Sequence, residues 1–190
     1  MTSAAAGSTG QDDARAASAD AQADLLRRAI EAANERDLSP AAAGAIVVGD
    51  DGSASAPPSL ETALTFAERF SAEVVVVHTW SIESSLGELS DHHGAIRSFG
   101  EVAQTLRARL EAQRRPLTEQ HPTVPIGFRV VLARPADALV DLSRDALMLV
   151  LGSRGLGALS GLVLGSVSVQ CLRRAHCPVL VVPHRSTDAG

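Results

Sequence analysis

Five short apolar runs rich in β-branched residues, at 44–49, 73–79, 126–132, 147–151 and 178–182, alternate with stretches of helical spacing. Each run is bounded by turn-forming residues and lacks in/out polar alternation, the pattern of a strand buried on both faces. Between them, Leu60, Ala63, Leu64, Ala67 and Phe70 step by three and four, as do Ile96, Phe99, Ala103, Leu106 and Leu110. Both sets mark amphipathic helices. Pro58 and Ser59 suit the start of the first, and Pro116 is expected to kink or end the second. Further helices are expected over 136–144, with Leu139, Val140 and Leu142 packing inward, and over 166–175. Strands alternating with helices demand an α/β fold: a doubly wound, five-stranded parallel sheet with right-handed crossovers and helices on both faces.

The run at 147–151 hands over to the stretch GSRGLGALSGLVLGSV at 152–167, and then to a helix start. Closely spaced glycines after a strand let backbone N–H groups approach a phosphate, and the following helix offers unpaired N–H groups and its positive dipole end. The chain contains no Lys, so the stretch is not a P-loop, and its spacing is not that of the dinucleotide fingerprint. Tight strand-to-helix geometry alone is the competing account of these glycines.

The spacing present is Gly152, two residues, Gly155, nine residues, Gly165 and Ser166. It resembles the G-2x-G-9x-G-[ST] signature of the nucleotide-binding branch of the universal stress protein family. Cys-Pro-Val-Leu-Val-Val at 177–182 is similar to the family's closing strand, and VVGDDGS at 47–53 to its first strand and Asp-Gly-Ser turn. The resemblance covers roughly 42–183. It implies a Rossmann-like sheet of order 3-2-1-4-5, with the ligand where strand order reverses, outside the carboxyl ends of the strands. By the same resemblance, Asp51 meets the nucleoside with Gly49 beneath it, and the backbone at Thr79 meets the adenine edge. Backbone donors at Gly152, Gly155, Gly165, Ser166 and Val167 would hold the phosphates. The candidate ligand-binding set is Gly49, Asp51, Thr79, Gly152, Ser153, Arg154, Gly155, Leu156, Gly157, Gly165, Ser166, Val167 and Ser168. The implied ligand is ATP, with Mg2+ or Mn2+ on its phosphates. ADP and cyclic AMP suit the same donors.

Other features have plainer readings. Asp51 also suits a turn in which an Asp bonds its own backbone, and the stretch 53–59, with two prolines, is longer than the family's usual turn. His78 is read as a strand-end packing residue. Asp91, His92 and His93 are read as a solvated loop, since no second cluster supplies the remaining ligands of a metal site. Cys171 and Cys177 match neither a redox nor a metal pair and are expected to be small buried residues in a reducing cytoplasm.

A net charge of −5 and a pI of about 5.6 give no electrostatic footprint for nucleic acid or an anionic membrane. No apolar run is long enough to span a bilayer. Residues 1–41 are rich in Ala, Ser and Asp and are expected to form a mostly disordered extension. Within it Leu25, Leu26, Ala29, Ile30 and Ala33 recur at helical spacing, so a short helix over 21–36 is the alternative. The domain is placed at 42–184 and a tail at 185–190.

Three functions from different classes are compatible with this reading. The first is a cytoplasmic ATP-binding regulatory protein of stress or dormancy responses. The second is a slow ATP hydrolase or an adenylyl or phosphoryl transferase, although no base beyond Asp51 is evident and there is no Lys to stabilise a transferring phosphoryl group. The third is a nucleotide-free homodimeric interaction module using the edge strand from Pro178 to Val182 and the N-terminal arm.

Overall fold

The computed structural model describes residues 9–34, 43–85, 97–155 and 164–183. Five parallel strands, β1 (Ile46–Gly49), β2 (Val74–Trp80), β3 (Ile126–Leu132), β4 (Met148–Gly152) and β5 (Val179–Val182), form one sheet of order β3-β2-β1-β4-β5. This is the expected doubly wound α/β architecture. Strand order reverses at β1, which pairs with β2 on one side and β4 on the other, Val47 opposite both Val75 and Leu149.

The sheet is buried on both faces because its central strands carry apolar side chains in both directions. Ile46, Val48, Val74, Val76 and Val150 pack on one face beneath α2 (Pro57–Phe70) and α3 (Phe99–Thr118). Val47, Val75, Val77, Leu149 and Leu151 pack on the other, beneath α4 (Pro135–Leu142) and α5 (Ser166–Arg174). Pro57 opens α2 without leaving a needed N–H unpaired. A capping box starts α3: the Ser98 hydroxyl accepts from the Glu101 N–H, and the Glu101 carboxylate accepts from the Ser98 N–H. The Ser98 N–H, and then its hydroxyl, donating to the carboxylate hold the Glu101 carboxyl below its ordinary pKa. Pro116 does not break α3, which continues to Thr118, because a proline in the last turn disturbs little helix beyond itself.

The N-terminal arm differs from expectation. Helix α1 (Thr9–Asn34) spans 26 residues, where the sequence suggests a mostly disordered arm with at most a helix over 21–36. It packs against α3 and β3. The contact is not made by the leucines of the expected stripe, since Leu25 and Leu26 are exposed. Instead Ile30 packs on a cluster of Trp80, Val102, Ala103, Val130 and Leu132. Asn34, only 4% exposed, accepts from the Leu132 N–H at 2.8 Å and donates to the Leu132 carbonyl at 3.0 Å. A side-chain amide thus satisfies both polar groups of an edge-strand residue, which favours the helix in place. Leu156, Gly157, the cluster Asp91, His92 and His93, and the tail 185–190 lie outside the described residues.

Candidate functional site

A cavity of about 570 Å³ opens at the carboxyl ends of β1, β2 and β4, where strand order reverses. That volume lies in the range of small-molecule sites. Its walls come from sequence-distant segments.

The first wall is the turn after β1. Gly49 lines the cavity, and a Cβ there would meet Leu151 Cδ2 at 2.7 Å, so the residue is needed for close packing of β1 on β4. Asp50 also lines the cavity, with its side chain buried against α3. Its carboxylate receives a two-pronged guanidinium from Arg114 on α3, Nε to Oδ2 at 2.7 Å and Nη2 to Oδ1 at 2.8 Å. Both side chains are buried, at 6% and 1% exposed for Arg114 and Asp50. The hydrogen bond to Asp50 raises the Arg114 pKa further, so the pair stays ionised on the arginine side. Asp51 follows, its Oδ1 accepting from the Ser53 N–H at 3.0 Å. The turn reading of Asp51 therefore holds alongside its position on the cavity.

The second wall is the end of β2, with Val77, His78, Thr79 and Trp80. His78 Nδ1 donates to the Asp50 carbonyl at 2.9 Å, which ties the ends of β2 and β1 together. In the neutral ring this leaves Nε2 as the acceptor. Trp80 presents an edge-to-face contact to Phe99, with ring centroids 6.1 Å apart. Leu106 and Arg109 of α3 complete this side.

The third wall is the end of β4, with Gly152, Arg154 and Gly155, and the start of α5. A Cβ on Gly155 would lie 2.8 Å from Asp51 Oδ2, so any side chain there would have to displace the carboxylate. The glycine turn and the Asp51 carboxylate are therefore in contact across the crevice. Gly165 is the N-cap of α5, and the first bond of the helix runs from Val169 N–H to the Gly165 carbonyl. The N–H groups of Ser166, Val167 and Ser168 precede that bond and have no partner within the helix. They carry the partial positive charge of the helix start. The Ser168 hydroxyl donates to the Gly152 carbonyl at 2.8 Å and fixes the helix to the strand end.

Among the sequence candidates, Gly49, Asp51, Thr79, Gly152, Arg154, Gly155, Gly165, Ser166, Val167 and Ser168 all line this cavity. Ser153 does not. Its N–H donates to the Val182 carbonyl and its own carbonyl accepts from the Gly165 N–H, so it serves the sheet and the turn. The second of these bonds, at 2.7 Å, also commits the Gly165 donor, so the unpaired donors of the helix start are those of the three residues after it. Sequence reasoning missed Asp50, Arg114, Trp80, Leu106 and Arg109. One signal was present for Arg114: it falls four residues beyond Leu110 and eight beyond Leu106, placing a charge on the apolar stripe of α3. Among the described residues no group of three or more His, Cys, Asp or Glu gathers as a metal centre, and no helix is long and apolar enough to cross a membrane.

The fold and cavity define a doubly wound α/β protein with a ligand-sized crevice at the point where strand order reverses. The sequence model of the universal stress protein family matches residues 43–183, and the chain belongs to that family. Universal stress protein Rv2005c of Mycobacterium tuberculosis is 36% identical over 136 residues, covering 72% of this chain and 44% of that protein. Universal stress protein Rv2623 of the same organism is 35% identical over 142 residues, with the same shares covered. The chain thus spans less than half the length of these relatives. The structure of the universal stress protein UspA from Lactobacillus plantarum matches with a TM-score of 0.59 at 18% identity, covering 75% of this chain and 99% of that one. That likeness is one of fold.

Proposed function

We propose that the chain binds an adenine nucleotide in this crevice, with ATP as the leading ligand, and acts as a regulatory sensor in a stress or dormancy response. The observation that carries the reading is the contact between Asp51 and Gly155, which brings a carboxylate to one wall and a glycine turn with the α5 start to the other. A nucleotide needs those two chemistries at its two ends: an acceptor for hydroxyl or amino donors, and unpaired N–H groups for phosphate. The apolar side chains Val77, Leu106, Leu139 and Leu151 between them suit a planar base. Mg2+ or Mn2+ would be held by the phosphate oxygens, as small divalent cations favour when protein ligands are few. Membership of the family supports the reading.

Calorimetry of ATP, ADP and cyclic AMP with magnesium on the full chain tests it. ATP binding that is lost in Gly155→Ala, whose new methyl would press on Asp51, supports the assignment, and selectivity among the three fixes the phosphate number. No heat and no nucleotide carried through purification by the folded wild type would overturn it. Phosphate release in the same samples separates a binder from a slow hydrolase.

The same reading includes a homodimer through the edge from Pro178 to Val182. Among the described residues β5 pairs only with β4, and all four of its residues remain partly exposed. Sedimentation equilibrium giving a monomer at micromolar concentration would remove that element without touching nucleotide binding.

A further inference from the structure

The turn that presents Asp51 is held from outside its own segment. Arg114 reaches from α3 to both carboxylate oxygens of Asp50, and its Nη2 also donates to the Ser53 carbonyl at 3.1 Å. Asp50 Oδ1 in turn accepts from the Gly52 N–H at 2.8 Å, and the Asp50 carbonyl accepts from His78 Nδ1. The residues on either side of Asp51 are thus pinned to α3 and β2, while Asp51 carries the only carboxylate of the turn that lies against Gly155.

A buried ion pair is a poor means of gaining stability, because desolvation of both charges cancels most of their attraction. Replacing such a pair by apolar side chains of similar volume is often neutral or stabilising. Its geometric consequence is different: a planar fork bound at two oxygens allows one orientation of the carboxylate and so of the backbone that bears it. The pair also cancels one of two adjacent negative charges, Asp50 and Asp51, at the end of β1. An anionic ligand meets one carboxylate rather than two.

We propose that Arg114 is a positioning residue of the cavity: through Asp50 and the Ser53 carbonyl it fixes the turn that carries Asp51, and thereby sets the affinity for the ligand. The inference rests on the nucleotide reading for its ligand, but its structural half does not. Arg114 itself does not line the cavity, so it acts through the turn.

The test uses the full chain in three forms: wild type, Arg114→Lys, and the paired replacement Asp50→Val with Arg114→Met. The pair removes both charges together, so the net charge is unchanged and no buried ion is stranded. Each form is titrated with MgATP, melted, and examined by amide hydrogen exchange at Gly52 and Ser53. The expected result is a paired variant that melts near the wild type, exchanges faster at both amides, and binds MgATP about tenfold more weakly, the scale on which loss of a supporting contact acts. Arg114→Lys, which keeps the charge but not the fork, should fall on the same side. A paired variant with wild-type affinity and wild-type exchange would overturn the proposal and leave the pair a packing feature. If the paired variant does not fold, Arg114→Lys decides by the same two readouts. Should the wild type bind no MgATP, the nucleotide reading fails, while unchanged exchange at Gly52 and Ser53 in the variants would separately sink the role of Arg114.

Discussion

The two facing walls of the cavity are built by opposite strategies. The described residues at the end of β4 and the start of α5 are held by backbone and hydroxyl bonds: the Gly165 N–H on the Ser153 carbonyl, the Ser168 hydroxyl on the Gly152 carbonyl, and the Ser153 N–H on β5. The turn from β1 to α2 has its own bonds, from the Gly52 and Ser53 N–H groups to Asp50 and Asp51, but is held in addition by a charged side chain from α3, 64 residues away in sequence. The first arrangement leaves backbone N–H groups of α5 available, which is what an anion needs. The second uses a buried cation for orientation, which on the proposed reading lets the wall present a single carboxylate at a defined angle. Backbone chemistry can offer donors without help from afar, whereas aiming a side chain requires something outside the turn to hold it.

If that contrast is right, the walls should differ in what a single substitution costs. Arg114→Ala strands the buried Asp50 carboxylate and is expected to lower stability by about 3–5 kcal/mol, read by urea denaturation. A loss below ~1 kcal/mol would mean that water replaces the guanidinium and that the wall is not held as described.

Asn34→Ala lies outside both walls and should cost about 1–3 kcal/mol, since the polar groups of Leu132 lose their partner. Its MgATP affinity should match the wild type, because Asn34 touches neither turn. An unchanged denaturation midpoint would show that α1 is not docked on the edge of β3 in solution.

On the glycine side, Ser168→Ala removes one hydroxyl bond to Gly152 and is expected to cost only about 1 kcal/mol. A cost as large as that of Arg114→Ala would erase the contrast between the walls.

The smallest effect at neutral pH concerns Cys171, on the buried face of α5. Burial pushes its thiol up to about 11, from an ordinary value of 9.0. A raised folded pKa means that the folded state keeps its proton where the unfolded state has lost it. The contribution of Cys171 to stability is therefore complete below pH 9 and falls away as pH rises toward 11. Thiol-directed reagents at pH 8 should leave Cys171 unmodified in the native protein, and a fast reaction there would indicate that the face under α5 opens.

Much of this architecture was legible in the chain. The five strands fall within two residues of the apolar runs, because a strand buried on both faces is written as a continuous run. The glycine spacing was legible for a related reason: its geometry is local, with Gly155 close against Asp51 and Gly165 at the N-cap of α5. Helix α1 was under-read because its stabilising contact depends on one Asn and one Ile meeting an edge strand about a hundred residues later. Composition weighs large apolar residues and gives little weight to a single buried amide. For Ser153, within the same signature, the structure adds what the sequence does not show: its N–H bonds β5 and its carbonyl the Gly165 N–H.

The sequence by itself determined the fold class, the order of elements and the position of the glycine turn, since each follows from periodicity or local backbone geometry. Tertiary structure alone decided that Arg114 and Asp50 form a pair, that Asp51 rests against Gly155, and that Asn34 closes the edge of β3. Those facts depend on which distant groups share a desolvated space. An ionised or amide side chain carries no sign in the sequence of the partner that burial will require of it.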